Sequence, residues 1–229
     1  MDQGLLPMAG ACHPTPGLTR IPLDAYYTDL ALARRCVSLL PIERHDLVME
    51  PHVGGGSFAQ ALIELTDARI HVRDINPHAP GLSKNVDART VGDFLSWRPV
   101  DTMVYGTPTE AQRPEWVVGN PPYGDALMAH VSHALRVSRR HVVMLVRLAI
   151  LESGGRISFW SEYGLRVRGL WVLAHRPKFR TDTSNTDTAA YVWLWFDKAH
   201  NGPPQHFVPS WDWKRSLEAT EQLTLELSP

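Results

Sequence analysis

The stretch DLVMEPHVGGGSFAQALIEL, Asp46–Leu65, constrains the fold more than any other part of the chain. A short β-prone run ends at Glu50-Pro51, three glycines follow at 54–56, and a helical pattern comes next. Glycine adopts positive φ and lets the backbone pass close to a neighbour. The segment therefore reads as strand, tight turn and helix. That unit builds open α/β sheets, in which ligands bind beyond the carboxyl ends of the strands.

The rest of the chain repeats the theme. RIHVRDINP predicts a strand ending at Asp74, and ARTVGDFLSW a shorter one ending near Gly92-Asp93. EWVVGNPPYG predicts a strand stopped by Pro121-Pro122, since consecutive prolines neither extend a ladder nor enter a helix interior. DALMAHVSHALRVS reads as a helix, and RHVVMLVRLAIL as a buried strand with its extension. LRVRGLWVLA and AAYVWLWFDK read as two more strands joined by a polar loop, which predicts an antiparallel hairpin at one edge. The expected architecture is α/β, a mostly parallel sheet with helices on both faces. Upstream, Asp24–Leu40 places Leu30, Ala33, Val37 and Leu40 at helical spacing, with Asp24 or Thr28 as cap. Residues 1–22, rich in Gly and Pro, read as a flexible arm, 23–198 as the domain and 199–229 as an extension. In that extension HNGPPQHFVPSWDW reads as a surface loop and KRSLEATEQLTLEL as a terminal helix. Residues 98–115 read as an insertion before the Asn-Pro-Pro-Tyr strand.

Size and charge narrow the alternatives. A chain of 229 residues suits one α/β domain with short appendages. Net charge is −1, but residues 126–180 carry ten Lys/Arg against two acids. Such asymmetry suggests an anionic partner on one side, with a run of separately solvated arginines as the alternative. Two cysteines imply no disulfide framework, and the cytosol is the simplest compartment. The histidines show no convincing ligand spacing, so no metal site is expected, and His130 and His133 read as surface or core residues. The longest apolar run, Val142–Leu151, contains Arg147 and is too short to span a bilayer. The start carries no signal-segment pattern.

The polar strand ends carry the chemistry. Asp74 lies twenty residues beyond Gly54, the spacing at which an acid accepts ribose hydroxyls. Asp93 suits the amino group of an adenine, with Phe94 against the ring. Simple turn-forming roles are the alternative for both acids. Neither Gly-x-Gly-x-x-Gly nor a Gly-x-x-x-x-Gly-Lys-Ser/Thr phosphate loop is present, which argues against a pyrophosphate cofactor. Asn120-Pro121-Pro122-Tyr123 presents an amide, a carbonyl fixed by proline, and an aromatic ring.

In order, Glu50-Pro51-x-x-Gly54-x-Gly56, Asp74, Asp93 and Asn120-Pro121-Pro122-Tyr123 resemble the S-adenosylmethionine-dependent amino-methyltransferases, chiefly the DNA adenine-N6 enzymes. DAYYTDLALA resembles their upstream Tyr-x-Thr-Pro segment, with Asp29 in the proline's place, and the motif order is that of the γ-type enzymes. LVRLAILESGGR and HRPKFRTDTSNTDTAAYVWLWF resemble small phage- or prophage-borne members. The resemblance covers about residues 24–197. It implies a Rossmann-like class I methyltransferase fold. It implies S-adenosyl-L-methionine bound by Tyr26, Tyr27, Thr28, Glu50, Pro51, Gly54, Gly56, Phe58, Asp74, Ile75, Asp93, Phe94 and Asn120. It implies a catalytic clamp of Asn120, Pro121, Pro122 and Tyr123 on a base flipped out of double-stranded DNA. Arg156, Arg176, Lys178 and Arg180 are the expected phosphate contacts. No large target-recognition domain is expected, so loops 98–115, 153–163 and 175–188 would read a short site. Relatives sharing the tetrapeptide methylate RNA or a protein glutamine, and a non-catalytic nucleic-acid-binding protein is the alternative of another class.

Overall fold

The computed structural model describes residues 27–99, 112–177, 179 and 189–215. The expected arm 1–22, Tyr26, most of the 98–115 insertion, Lys178, Arg180 and nearly all of the expected terminal helix lie outside them. Among the described residues are strands β1 (Leu47–Glu50), β2 (Arg69–Asp74), β3 (Ala88–Val91) and β4 (Trp116–Gly119). They continue with β5 (His141–Arg147), β6 (Val167–Leu173), β7 (Tyr191–Asp197) and β8 (His206–Trp211). The α-helices are α1 (Leu30–Val37), α2 (Ser57–Leu65), α3 (Leu127–Val137) and α4 (Ile157–Tyr163).

The strands form one sheet in the order β3-β2-β1-β4-β5-β7-β6-β8. β1 to β5 pair in parallel, β7 lies antiparallel between β5 and β6, and β8 pairs parallel with β6. Strand order reverses between β1 and β4, which opens a crevice at their carboxyl ends.

Residue alternation explains why both faces are covered. Val48, Trp116, Val118, Val143, Leu145, Tyr191, Trp193 and Trp195 share one core with Leu32 and Val37 of α1 and Phe58 and Leu62 of α2. Met49, Val117, Val142, Met144, Val146, Val192, Leu194 and Phe196 share the other with Val131 and Leu135 of α3 and Phe159 of α4. Parallel register sets Val48 beside Trp116 and Met49 beside Val117, so each pair faces one core together.

Four expectations change in detail. α1 is capped by Asp29, whose Oδ1 accepts from the backbone N–H groups of Ala31 and Leu32, rather than by Asp24 or Thr28. Leu148–Leu151 is a 3-10 turn, not an extension of β5. Loop 153–163 contains α4, whose apolar residues leave only Phe159 buried and so give a weak periodic signal. HNGPPQHFVPSWDW contains β8, outside the antiparallel hairpin; Pro209 is tolerated there because the strand is an edge.

Candidate functional site

A cleft of about 840 Å³, open mouth included, lies at the carboxyl ends of β1, β2, β3 and β4. It is lined by the glycine turn, the segments after β2 and β3, and the proline-stopped end of β4. A smaller recess adjoins it, lined by Tyr27, Thr28, Glu50, the Gly54–Gly56 turn, Phe58 and Asn120.

The turn needs its glycines. Gly54 has φ +47° and Gly56 has φ +84°, both in the left-handed region. A Cβ on Gly56 would lie 2.7 Å from the Cα of Gly81. The Gly56 N–H donates to the Val53 carbonyl at 2.7 Å, closing the turn. Asp74 ties the turn to the next loop: its Oδ2 accepts from Gly54 N–H and its Oδ1 from Asn76 N–H, each at 2.8 Å. Both oxygens are thereby held in place in a residue that lines the cleft. Ile75 beside them is 57% exposed, a large apolar side chain kept at the rim. The Asp93 Oδ1 accepts from Leu95 N–H, and Phe94 is held edge-on between His52 and His133.

Glu50 ends β1 at 2% exposure, and its Oε2 is buried with no hydrogen-bond partner. Burial pushes its carboxyl well above the usual carboxylate range; a backbone hydrogen bond from Ala59 opposes the shift and the nearby Asp74 adds to it. Phe58 commits its ring to the core, stacked on Trp193 at 5.3 Å. Tyr27 lays its ring over the turn, so a Cβ on Gly55 would approach it to 3.0 Å.

The β4 end brings its tetrapeptide into the same cleft. The Asn120 Nδ2 donates to Thr28 Oγ1 at 3.2 Å, and its Oδ1 accepts from the Tyr123 hydroxyl. Thr28 is itself fixed, since its carbonyl accepts from Ser57 Oγ at 2.6 Å. Tyr123 is buried against Tyr191 and Phe179, with the Arg147 guanidinium 5.2 Å from its ring centre.

The expected phosphate contacts separate. Arg176 is exposed beyond the carboxyl end of β6. Arg156 spends its Nη1 on the carbonyls of Ala149 and Glu152 in its own loop. The basic run 126–180 is divided by the sheet. Arg147 ends β5, and Arg156 and Arg176 follow β5 and β6, all toward the cleft end. Arg139, Arg140 and Arg168 sit at the other end, on Glu115 and Asp197.

Sequence reasoning missed His52, Asn76, Ala79 and His130 as cleft residues. Asn76 was legible as the Asx-type turn after β2. The His52–His130 contact, Nε2 to Nδ1 at 2.8 Å, spans 78 residues and leaves no local signal. Burial lowers the pKa of both rings. Among the described residues no cluster of three metal-ligating side chains occurs, and no helix is long and apolar enough to cross a membrane.

No family model and no curated protein matches the sequence. Solved structures do match. One is a Listeria monocytogenes protein assigned to the class I S-adenosylmethionine-dependent methyltransferases, at TM-score 0.59 and 13% identity, covering 90% of this chain and 72% of that one. Another is the M protein of the type I restriction enzyme EcoKI, at 0.58 and 13%, covering 82% of this chain and 47% of that one. A third is an RNA methyltransferase assigned in Pyrococcus horikoshii, at 0.54 and 16%, covering 82% and 92%. The chain thus spans about half the length of the restriction-system protein. The fold is that of the Rossmann-like class I methyltransferases.

Proposed function

We propose that this protein transfers a methyl group from S-adenosylmethionine to the exocyclic N6 amine of adenine in DNA. The observation that carries the reading is the convergence of the Asn120–Tyr123 tetrapeptide with Asp74, Asp93 and the Gly54–Gly56 turn on one cleft. The residues fit the cofactor. The unpartnered Glu50 Oε2 suits the ammonium of its amino-acid end, in the recess lined by Thr28 and the glycine turn. Asp74 suits the ribose hydroxyls, Asp93 the adenine amino group, and Ile75 a ring face. When bound, the cofactor supplies an electrophilic sulfonium methyl.

The chain's own residues then prepare the acceptor. An exocyclic amine is a poor nucleophile while its lone pair is delocalised into the ring. The Asn120 Oδ1 and the Pro121 carbonyl accept its hydrogens as the nitrogen becomes tetrahedral. Thr28 keeps the Asn120 oxygen turned toward the cleft by holding its Nδ2. The Tyr123 hydroxyl, which satisfies that oxygen in the free protein, yields to the incoming amine, so one donor replaces another. Alignment supplies much of the rate, and the extra proton leaves to water after transfer. A base inside a duplex cannot reach this cleft, so the substrate is flipped out. Arg147 and Arg176, at the cleft end, are the proposed phosphate anchors, and the sequence adds Lys178 and Arg180.

RNA is the second reading, favoured because the chain spans nearly the whole of the Pyrococcus RNA methyltransferase. Genomic DNA of varied sequence, incubated with the protein and S-adenosylmethionine, is expected to gain N6-methyladenine on base-resolved mapping. Modification confined to cytosine overturns the adenine reading, and modification confined to RNA offered in parallel overturns the DNA reading.

A further inference from the structure

The proposed function leaves His52 and His130 without a role, although both line the cleft beside Asp93 and Phe94. Their rings meet at 2.8 Å through His52 Nε2 and His130 Nδ1, so one nitrogen must donate and the other accept. The remaining nitrogen of His52, Nδ1, is buried with no partner. A buried N–H without an acceptor is rarer and costlier than a bare lone pair. The proton of His52 therefore belongs on Nε2, where it donates to His130 Nδ1. With Nδ1 accepting, a neutral His130 carries its proton on Nε2, and that N–H is the one left for the cleft.

His133, one turn further along α3, is engaged elsewhere. Its Nε2 meets the Trp97 carbonyl at 3.0 Å, and its Nδ1 faces the Arg136 guanidinium at 3.4 Å. His130 lies parallel to the Phe94 ring, 6.2 Å between centres at 13°, while His52 meets both rings edge-on. This aromatic packing holds the His130 ring in place in the cleft that Asp93 also lines. The end of the cleft after β3 thus presents a carboxylate acceptor and an imidazole donor together. A 6-aminopurine shows the complement: an amino donor flanked by unprotonated ring nitrogens.

Resting on the cofactor reading above, we infer that His130, oriented by His52, donates a hydrogen bond to a ring nitrogen of the cofactor's adenine beside the amino group accepted by Asp93. His130 is then a base-reading residue and His52 its positioning residue.

The test is calorimetric binding of S-adenosylhomocysteine and of its 1-deaza and 7-deaza analogues, in which each nitrogen flanking the amino-bearing carbon's neighbourhood is replaced by CH. On the wild type, one analogue is expected to bind about three- to tenfold more weakly than the parent, the size of one hydrogen bond. His130→Phe should weaken the parent by the same factor and leave that analogue unchanged, closing a thermodynamic cycle. His130→Gln keeps an N–H donor and should restore much of the preference, which covers the case in which the Phe variant does not fold. Equal loss for all three ligands in His130→Phe, or no loss from either analogue on the wild type, overturns the inference. Failure of the wild type to bind S-adenosylhomocysteine overturns the cofactor reading and the inference with it.

Discussion

Two buried carboxylates mark the two ends of the sheet. Glu50 closes β1 at the cleft end with 2% exposure, and Asp197 closes β7 at the far end with 1%. Glu50 keeps an oxygen without a partner, and burial raises its pKa. Asp197 accepts from Arg168 at 2.7 Å, Arg140 at 3.3 Å and the Ala199 N–H at 2.9 Å, with His141 at 3.8 Å. Burial pushes Asp197 up as well, but those partners outweigh it and hold its pKa below the usual value. The same cost of desolvation is offset inside the protein at one end. At the other it is left for something to offset from outside. An unsatisfied group lining a recess calls for a partner, which the proposed reading supplies from the cofactor; a satisfied one is accounted for by the fold itself.

Substitutions should separate the two roles cleanly. Asp197→Ala leaves Arg168 partnerless next to Trp195, over which it stacks at 4.8 Å, and His141 without its acid. Arg168 and Arg140 both keep access to water, at 29% and 55% side-chain exposure, so the loss is that of charged hydrogen bonds, about 1–3 kcal/mol, read as a shifted denaturant midpoint, while methyl transfer per folded molecule stays near wild type. Asn120→Ala should do the reverse. Transfer falls by about 100- to 1000-fold in single turnover, the scale for losing one preorganised polar contact to the reacting centre. Cofactor affinity and stability should change little. An Asn120→Ala protein with full activity would remove the proposed role of that amide.

The sequence revealed the cleft end better than the far end, for a physical reason. Glycines, strand-end acids and consecutive prolines act through local backbone rules, so Gly54, Gly56, Asp74 and Asn120-Pro121-Pro122 could be placed before any contact was known. The far-end cluster joins His141, Arg168, Trp195 and Asp197 from three different strands, and nothing in their local sequence announces it. The basic run 126–180 shows the same limit. It reads as one charge block along the chain, but β5 and β6 carry its members to opposite ends. α4 and β8 were missed because one buries a single large side chain and the other contains a proline.

Acid sharpens the contrast at the far end. His141 stacks on Trp116 with 3.8 Å between ring centres, and burial lowers its pKa from 6.5 to about 4, against the opposing pull of Asp197. Between those values the unfolded chain binds the proton that the folded chain refuses. Stability should therefore fall as pH drops from about 6.5 to about 4, and the lowered pKa of Asp197 extends the loss below that window. Chemical denaturation at several pH values reads the slope. A His141→Gln variant should show a shallower decline over the same range, since His52, His71, His130 and His133 then carry the remaining decline, which the raised pKa of Glu50 opposes.

The smallest effect is the most specific to Glu50. Its carboxyl holds a proton more tightly than an ordinary carboxylate because it is buried, with Asp74 nearby. A cation docked on Oε2 reverses that preference, since an adjacent positive charge favours the ionised form. Binding an amino-acid ammonium there must therefore expel any proton Glu50 still holds, up to one per site. Calorimetric titration with S-adenosylhomocysteine in two buffers of different ionisation enthalpy measures the number directly. Proton release should grow as the starting pH is lowered, because more of the free protein then carries the proton. Glu50→Gln should abolish this release and weaken binding, yet change stability little, because the easier desolvation of a neutral amide is offset by its buried N–H groups finding no acceptor. If Glu50→Gln bound the ligand as well as wild type with the same proton count, the unpartnered oxygen would not be the ammonium site. The contrast between the two buried acids would then be one of packing alone.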